Sequence, residues 1–343
     1  MVAATTPENM YAEVGDHVGP EFQARIDRCG AAVGLDAVAH VAHYEYGTLD
    51  FALDVLADVR SFLTGTAGFP AACRRETVHL GRQLHFMMRG IGETLENCGS
   101  GRIIRSLFDF GSGALLVFEI RPGEYLVGLV LNAENVDSAD RALSAAVTGV
   151  RGTLGLPDQS PGGWTAAPGE PRELPPAAPG ALDSWAAARS GMATQPGAAS
   201  GPGPADEVFV SLAAAEVTTR SLDYAARFER STLTARVDAF DEPALAPHFT
   251  NISRRRRRSV YQDIGGQFQT LIGTVDRALH GVVGRRVTRT VLDVEQGALY
   301  FQRVDGDGLL IASTLAQARV RVSQQHFDGL VERYARALTA MRP

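Results

Sequence analysis

The feature that most constrains this chain is an internal repeat. The stretch 101–131, GRIIRSLFDFGSGALLVFEIRPGEYLVGLVL, occurs again in altered form at 284–315, GRRVTRTVLDVEQGALYFQRVDGDGLLIASTL. The same number of residues, here called the repeat offset, separates each position from its counterpart in the second copy. It aligns Arg105 with Arg289, Asp109 with Asp293 and, upstream, Gly81 with Gly265. A constant offset across strands and helices indicates a duplicated structural unit. The alternative is chance similarity in a chain rich in Ala, Gly, Leu and Val.

The repeat predicts two lobes joined by a linker. The first lobe is expected over 15–155 and the second over 206–343. Between them, 156–205 is rich in Pro, Gly, Ala and Ser and lacks a periodic apolar stripe, which is typical of a flexible tether. The two tryptophans, Trp164 and Trp185, both lie in this linker. They are either loosely packed or short docking elements.

Each lobe shows the same order of predicted elements. A helix is followed by two strands, a long helix, three strands and a closing helix. In the first lobe the strand pair spans 37–55 and breaks near Gly47, and the long helix spans 73–97. In the second lobe the pair spans 222–240 and breaks near Ser231, and the long helix spans 253–280.

Composition excludes several kinds of chemistry. All 33 basic residues are arginine, so a lysine Schiff base and a P-loop are both excluded. The first 155 residues hold 12 Arg against 19 acids, a net charge of −7, whereas residues 206–343 hold 19 Arg against 16 acids, a net charge of +3. No apolar run is long enough to span a bilayer and the N-terminus does not resemble a secretory signal, so we expect a cytoplasmic location without membrane contact.

Clusters that could carry out catalysis or bind a metal are weak. His40 and His43 are three residues apart on a predicted strand, which places them on opposite faces and disfavours chelation. Asp109 and Asp293 recur before turns, where fixing the turn is their expected role. There is no Gly-x-Ser-x-Gly elbow and no Cys-x-x-Cys pair. We therefore predict no enzyme, and no catalytic, cofactor-binding or metal-binding residues.

The strongest local charge feature is a run of five arginines at the start of the second long helix. Cations are disfavoured there by the helix dipole, so the run suggests an anionic partner. The candidates are an acidic protein, the acidic first lobe, an acidic membrane surface or nucleic acid; a solvated turn is the alternative. Nucleic acid is disfavoured because the run is short and the chain carries a net charge of −6. The predicted partner-binding residues are Arg254, Arg255, Arg256, Arg257 and Arg258, with Arg105 and its counterpart Arg289 on the repeated strand.

The order of elements, together with the strand patterns at 102–131 and 286–315, resembles the roadblock (dynein light chain) family, in particular its actinobacterial members. The sequence Gly306-Asp307-Gly308-Leu309-Leu310 stands where that family has a turn and strand. The likeness covers 75–155 and 259–341. It is weak over 35–60 and 219–243, where Gly47 and Ser231 replace the usual Asp-Gly turn.

The resemblance implies an α+β fold. Each lobe would have a mostly antiparallel sheet of about five strands, a long helix and a C-terminal helix, and the two lobes would pair within the chain as a pseudo-dimer. It implies a non-enzymatic scaffold or regulator of a small Ras-like GTPase or a related signalling partner, with no cofactor. Two alternatives remain open: a peptide-binding module like a secretion chaperone, and a nucleic-acid-associated regulator that uses Arg254–Arg258.

Overall fold

The computed structural model describes residues 10–58, 69–96, 99–157, 159–164, 203–304 and 306–341. The first half of the chain contains these strands and helices: β1 (Tyr11–Val14), α1 (Gln23–Gly30), β2 (His40–Glu45), β3 (Thr48–Asp54), α2 (Phe69–Glu96), β4 (Ile103–Asp109), β5 (Ala114–Arg121), β6 (Glu124–Val130) and α3 (Val136–Thr153).

The second half repeats this order of elements from α1 onwards. It contains α4 (Pro204–Glu216), β7 (Tyr224–Glu229), β8 (Thr232–Asp238), α5 (Arg254–Val283), β9 (Arg289–Val294), β10 (Gly297–Val304), β11 (Gly308–Thr314) and α6 (Val320–Ala340). Strands β7, β8 and β11 begin and end at the positions that the repeat offset gives for β2, β3 and β6. None of these helices, within the described ranges, combines the length and the apolar character that crossing a bilayer requires.

The chain forms two compact units that do not follow chain order alone. The first unit is Met1–Gly162 with Phe268–Ala298, and the second is Gly163–Gln267 with Leu299–Pro343. Strand β9, although it comes from the second half, therefore belongs to the first unit. The division into lobes at 15–155 and 206–343 remains a prediction, and most of the predicted linker 156–205, including Trp185, lies outside the described residues.

The first unit is built on an antiparallel sheet with the strand order β1-β3-β2-β6-β5-β4-β9. Its five central strands all come from the first half of the chain, and the predicted α+β class is confirmed. Strands β1 and β9, at the two ends of this order, were not part of the predicted first lobe. Strand β1 escaped prediction because it is short and exposed along its whole length.

Helices cover both faces of this sheet. Helix α2 packs on β2, β3, β4 and β6, whereas α3 packs on β5 and β6 and against α1. Two consecutive residues of β4 show that these faces are opposite: Ser106 reaches Met88 on α2, and Arg105 reaches Asp140 on α3. Neighbouring side chains on a strand point to opposite sides, so β4 contributes to both layers of the core.

The second unit has the strand order β10-β11-β7-β8, and α4 packs on α6, β7 and β8. Phe209 of α4 meets Tyr334 of α6 edge to face, with 5.9 Å between the ring centroids. Both rings are fully buried, so this aromatic pair fixes the two helices against each other.

Both strand pairs turn through two residues with positive φ. Tyr46 and Gly47 connect β2 to β3 with φ values of 49° and 80°, and Arg230 and Ser231 connect β7 to β8 with 48° and 65°. Positive φ at both central residues is the signature of a type I′ hairpin, whose twist matches that of the strands. The predicted breaks near Gly47 and Ser231 are therefore hairpin turns.

The long helix of each repeat approaches the sheet through a glycine. A Cβ atom on Gly81 would overlap the ring of Tyr44, and a Cβ atom on Gly265 would overlap the ring of Phe228. Tyr44 and Phe228 are also counterparts at the repeat offset, and both are buried. The same glycine-on-aromatic contact thus sets the distance between helix and sheet in both halves.

Replacing Gly81 with alanine should therefore destabilise the protein, although alanine favours helices. Overpacking against the buried Tyr44 ring is expected to cost roughly 1–3 kcal/mol. Chemical denaturation of Gly81→Ala measures this cost. The control is Gly92→Ala on the same helix, where a Cβ meets nothing within 4 Å and should leave stability equal or slightly higher. Equal stabilities for the two variants would contradict the close approach.

Candidate functional site

Strands β4 and β9 form an antiparallel ladder with local twofold character. Leu107 stands opposite Val291, and these residues are counterparts in the repeat. On either side of this centre, Arg105 stands opposite Asp293 and Asp109 stands opposite Arg289. Two copies of one strand that pair about such a centre have the register of a symmetric dimer interface. Within the first unit, two equivalent strands of the repeat thus pair with each other, whereas pairing of two whole lobes remains a prediction.

Arg105 is almost fully buried in this ladder, with 1% of its side chain exposed. Its Nε and Nη2 donate to the two carboxylate oxygens of Asp140 at 2.7 and 2.8 Å, and its Nη1 lies 3.2 Å from both oxygens of Asp293. The amide of Gly162 also donates to Asp293, at 2.6 Å. One guanidinium thus joins β4, β9 and α3.

Burial and charge shift the pKa values in this cluster. Burial alone would lower the pKa of Arg105, but the carboxylates of Asp140 and Asp293 outweigh it and the pKa is raised. Burial raises the pKa of Asp293 above its usual range, against the opposing effect of Arg105. With Arg105 enclosed in this way, a contact between it or Arg289 and a partner remains a prediction.

The arginine run at the start of α5 is divided between internal and exposed positions. Arg258 binds Asp238 at 2.6 and 3.0 Å, and Arg254 donates to the carbonyl of Phe240 at 2.6 Å. Arg257 is buried and donates to the carbonyl of His248 at 3.2 Å. Of the five, only Arg255 and Arg256 are exposed. Partner binding by the run remains a prediction, and it now concerns chiefly these two side chains.

A cavity of about 380 Å³ opens between α2 and the sheet of the first unit. Its apolar lining includes Met88, Ile103 and Val117. Tyr46, His85 and Tyr125 also line it, and Phe86 contacts the ring of His85; these four side chains are here called the aromatic rim. The His85 ring centroid lies 6.3 Å from that of Tyr46, 5.1 Å from Phe86 and 5.7 Å from Tyr125.

Two residues of the aromatic rim are exposed to solvent, and the other two have shifted pKa values. Tyr46 is 70% and Phe86 is 68% exposed, although both are large and apolar. Burial, followed by the charge of Glu119, raises the pKa of Tyr125 to about 12. Burial and the charge of Arg89 lower the pKa of His85, which favours the neutral imidazole. Exposed aromatic groups beside a cavity that combines apolar and charged lining residues are typical of surfaces that bind other molecules.

The second repeat lacks the rim. The counterparts of Tyr46, His85, Phe86 and Tyr125 at the repeat offset are Arg230, Gln269, Thr270 and Leu309. The rim was missed in the sequence because single aromatic residues on a helix and a turn resemble core positions. Comparing the two repeats position by position would have found it, since the aromatic character occurs in only one of them.

A buried histidine forms the other prominent polar network of the first unit. His43 Nδ1 lies 2.7 Å from Asp50 Oδ2, and His43 Nε2 lies 3.0 Å from Glu124 Oε1. Carboxylate oxygens only accept, so both ring nitrogens donate and the imidazole is protonated. Glu124 is also bound by Arg25 at 3.0 Å and by Arg121. Because His43 and Glu124 are fully buried, this network stabilises the fold and offers no access to a substrate.

His40 lies beside another buried pair. It is 3.7 Å from Asp54, which Arg74 binds at 2.5 and 2.7 Å. Within the described ranges, no group of three His, Cys, Asp or Glu side chains is arranged to hold a metal ion.

Comparison with known proteins gives little further information. No protein-family model matches the chain. No curated protein matches its sequence. Among solved structures, the gliding protein mglB from Thermus thermophilus is similar to part of the chain, with 18% identity and a TM-score of 0.31. That match covers 39% of this chain and 90% of the mglB chain. The TM-score is too low for this likeness to support an argument.

Removing the charge of Arg105 should destabilise the ladder. In Arg105→Met, Asp140 and Asp293 would remain buried without their cation, at an expected cost of roughly 3–5 kcal/mol in unfolding free energy. The control is Arg102→Met on the same ladder, because Arg102 pairs with Glu295 at a half-exposed position. Such a pair contributes about 0–1 kcal/mol. Urea denaturation of both variants tests the difference, and similar losses would contradict the special role of Arg105.

The His43 network predicts a pH-dependent stability. Burial lowers the pKa of His43, but hydrogen bonds with Asp50 and Glu124 outweigh it and raise the pKa above 6.5. Its stabilisation is therefore complete at pH below about 6.5 and is lost as pH rises through the raised value.

The pKa values of Asp50 and Glu124 are lowered: burial would raise them, but the interactions with His43 outweigh it. Their contributions stay constant above about pH 6. The stability of the wild type relative to His43→Phe should fall between pH 6 and 9 in urea denaturation. His79→Gln, at a position closer to the surface, should parallel the wild type, and a constant gap to His43→Phe would refute this account.

Proposed function

We propose that this protein is a non-enzymatic interaction scaffold, in which two repeated halves pair through β4 and β9 as a covalent pseudo-dimer and regulate a small Ras-like GTPase or a related signalling partner. The ladder centred on Leu107 and Val291 carries the proposal. A symmetric register between equivalent strands is what a homodimer uses to cover its sheet edges, and duplication followed by fusion preserves it. The choice of a Ras-like GTPase as the partner rests on the resemblance to the roadblock family.

The aromatic rim is the surface proposed to contact the partner. Tyr46, which lines the cavity, and Phe86 are both exposed, and aromatic side chains supply much of the energy of protein interfaces. The rim occurs in one repeat only, so a pseudo-dimer would present one such surface, unlike a true homodimer with two. Fusion of the halves permits this asymmetry.

The placement of the arginine run argues against nucleic acid as the main partner. Arg254 and Arg258 are engaged with Phe240 and Asp238, and Arg257 is buried. Two exposed arginines would neutralise few phosphates, whereas affinity for nucleic acid grows with the number of phosphates neutralised.

Binding of a panel of small Ras-like GTPases, each loaded with GDP or a non-hydrolysable GTP analogue, tests the proposal. At least one GTPase should bind the full chain with a preference for one nucleotide state. Phe86→Ser should weaken that binding at least about tenfold, as expected for an aromatic hot spot. Tyr46→Asn should act in the same direction, because asparagine tolerates the positive φ of this turn.

The matched control is Val322→Ser, which removes an exposed apolar side chain from α6 in the second unit and should leave affinity unchanged. The absence of binding by any GTPase in either nucleotide state would overturn the GTPase assignment. Binding that is indifferent to Phe86→Ser and Tyr46→Asn would overturn the aromatic rim as the contact surface.

A further inference from the structure

We propose that the outer edge of β8 accepts an extended segment of another protein as an added antiparallel strand, and that this segment carries an aromatic residue followed two positions later by an acidic residue. The inference concerns the second unit alone and holds whether or not a GTPase binds the aromatic rim. We call the outer edge of β8 over Thr234–Asp238 the acceptor edge.

In the first unit, the strand that corresponds to β8 has a partner strand along its outer edge. Strand β3, the counterpart of β8, pairs with β1: Tyr11 stands opposite Asp54, Ala12 opposite Leu53, Glu13 opposite Ala52 and Val14 opposite Phe51. With β1 in place, every residue of β3 after Thr48 is buried. A short extended segment is thus sufficient to cover this edge.

In the second unit the counterpart of β3 is β8. It is exposed at Thr232 and half-buried along the rest of its length, and among the described residues no strand pairs with its outer side. The positions that the repeat offset assigns to β1 read Gln195-Pro196-Gly197-Ala198, and proline and glycine are both poor strand formers. The sequence at these positions therefore does not predict a second β1.

The backbone of β8 is oriented to receive a strand. In the first unit the amide of Gly15 donates to the carbonyl of Asp50 at 2.8 Å, so the backbone groups of Asp50 point outward towards β1. The amide of Ala239 donates to Asp223 at 3.0 Å, on the inner side of β8. Since backbone groups alternate in direction along a regular strand, Arg236 and Asp238 present theirs outward, whereas Thr234 lies at an irregularity in the pairing of β8 with β7.

The ion pair on which Tyr11 packs in the first unit has a counterpart in the second unit. In the first unit Arg74 binds Asp54, and the guanidinium of Arg74 lies 3.9 Å from the ring centroid of Tyr11. Arg258 and Asp238 are the counterparts of Arg74 and Asp54, and they form the same two-point ion pair at 2.6 and 3.0 Å. An aromatic side chain opposite Asp238 would stack on Arg258 as Tyr11 stacks on Arg74.

The acidic residue follows from a difference between the repeats. Glu13 of β1 stands opposite Ala52, whose counterpart in β8 is Arg236. Residues directly opposite each other on antiparallel strands share a face, so an acidic residue at the position of Glu13 would face Arg236. Arg236 also lies 3.4 Å from Asp238 of its own strand, so the acidic residue of the guest would share this guanidinium with Asp238. Charge complementarity thus favours an acidic segment.

A groove extends this edge towards the β7–β8 turn. A cavity of about 350 Å³ lies between the beginning of β8 and α5, with Leu233, Gln262 and Gly266 in its lining. An added antiparallel strand that starts opposite Asp238 runs towards Thr232, so its later residues would reach this groove. Strand addition of this kind combines backbone hydrogen bonds for affinity with side-chain seats for specificity.

The experiment uses the full chain and a labelled peptide with the sequence of residues 10–19, MYAEVGDHVG, as a model of the guest strand. Fluorescence anisotropy should detect binding. The peptide variant Tyr11→Ser should bind at least about fivefold more weakly, because the cation–π contact is lost. In the protein, Arg236→Pro should abolish binding, since it removes an outward N–H, whereas Arg236→Ala should weaken it only a few-fold.

A charge exchange keeps the test independent of how well the proline variant folds. Arg236→Glu should prefer the peptide variant Glu13→Lys over the native peptide, and the wild type should show the reverse preference. Failure of the full chain to bind the peptide, or equal binding by wild type and Arg236→Pro, would overturn the proposal. If the wild type dimerises in sedimentation velocity and Arg236→Pro does not, the occupant is a second copy, and the proposed partner is wrong.

Discussion

The first unit depends on one buried guanidinium. Arg105 lies among β4, β9 and α3 and binds two carboxylates, Asp140 and Asp293, that have no access to water. Removing such charges from water is expensive, and it is tolerated only when every charged group is paired with good geometry. The guanidinium therefore specifies which strand can occupy the edge beside β4, because only a strand with a carboxylate at the position of Asp293 satisfies it.

The second copy of the repeat supplies this strand, but the two copies differ in the residues that surround it. Strand β9 is the counterpart of β4, but the counterpart of Asp140 in the second half is Gln324, so the same cluster cannot form twice. Similar divergence runs through the molecule. His43, held by Asp50 and Glu124, is replaced by Arg227, which binds Asp206 at 2.7 Å. The two copies thus keep the same order of strands and helices but differ in their side-chain contacts.

The constant repeat offset is what made much of the fold predictable. It implies that strands located in one half recur in the other, and β2, β3 and β6 recur at the predicted spacing. The helix predicted over 73–97 corresponds to α2, and the strand break near Gly47 is a hairpin turn. These features follow from local pattern and turn chemistry, which a sequence displays directly.

The rest depended on contacts between distant residues. The five arginines were recognisable as a charged run, but burial of Arg257 and pairing of Arg258 with Asp238 depend on the path of the chain before α5. The aromatic rim depends on a turn and a helix meeting, and β1 is too short and exposed to produce a periodic signal. The expected partner roles of Arg105 and Arg289 remain a prediction; the pairing of β4 with β9, which buries Arg105, joins residues far apart in the sequence.

The pairing of β4 with β9 in the observed register is the central claim, and a disulfide cross-link tests it most directly. Ser106 stands opposite Leu292, so Ser106→Cys with Leu292→Cys places two thiols within reach of each other. The account predicts an intramolecular disulfide between these positions in the oxidised monomer, identified by mass spectrometry of the cleaved chain. It also predicts little linkage for Ser106→Cys with Thr290→Cys, two residues out of register. Absent linkage in the first pair, or equal linkage in both, would contradict the account.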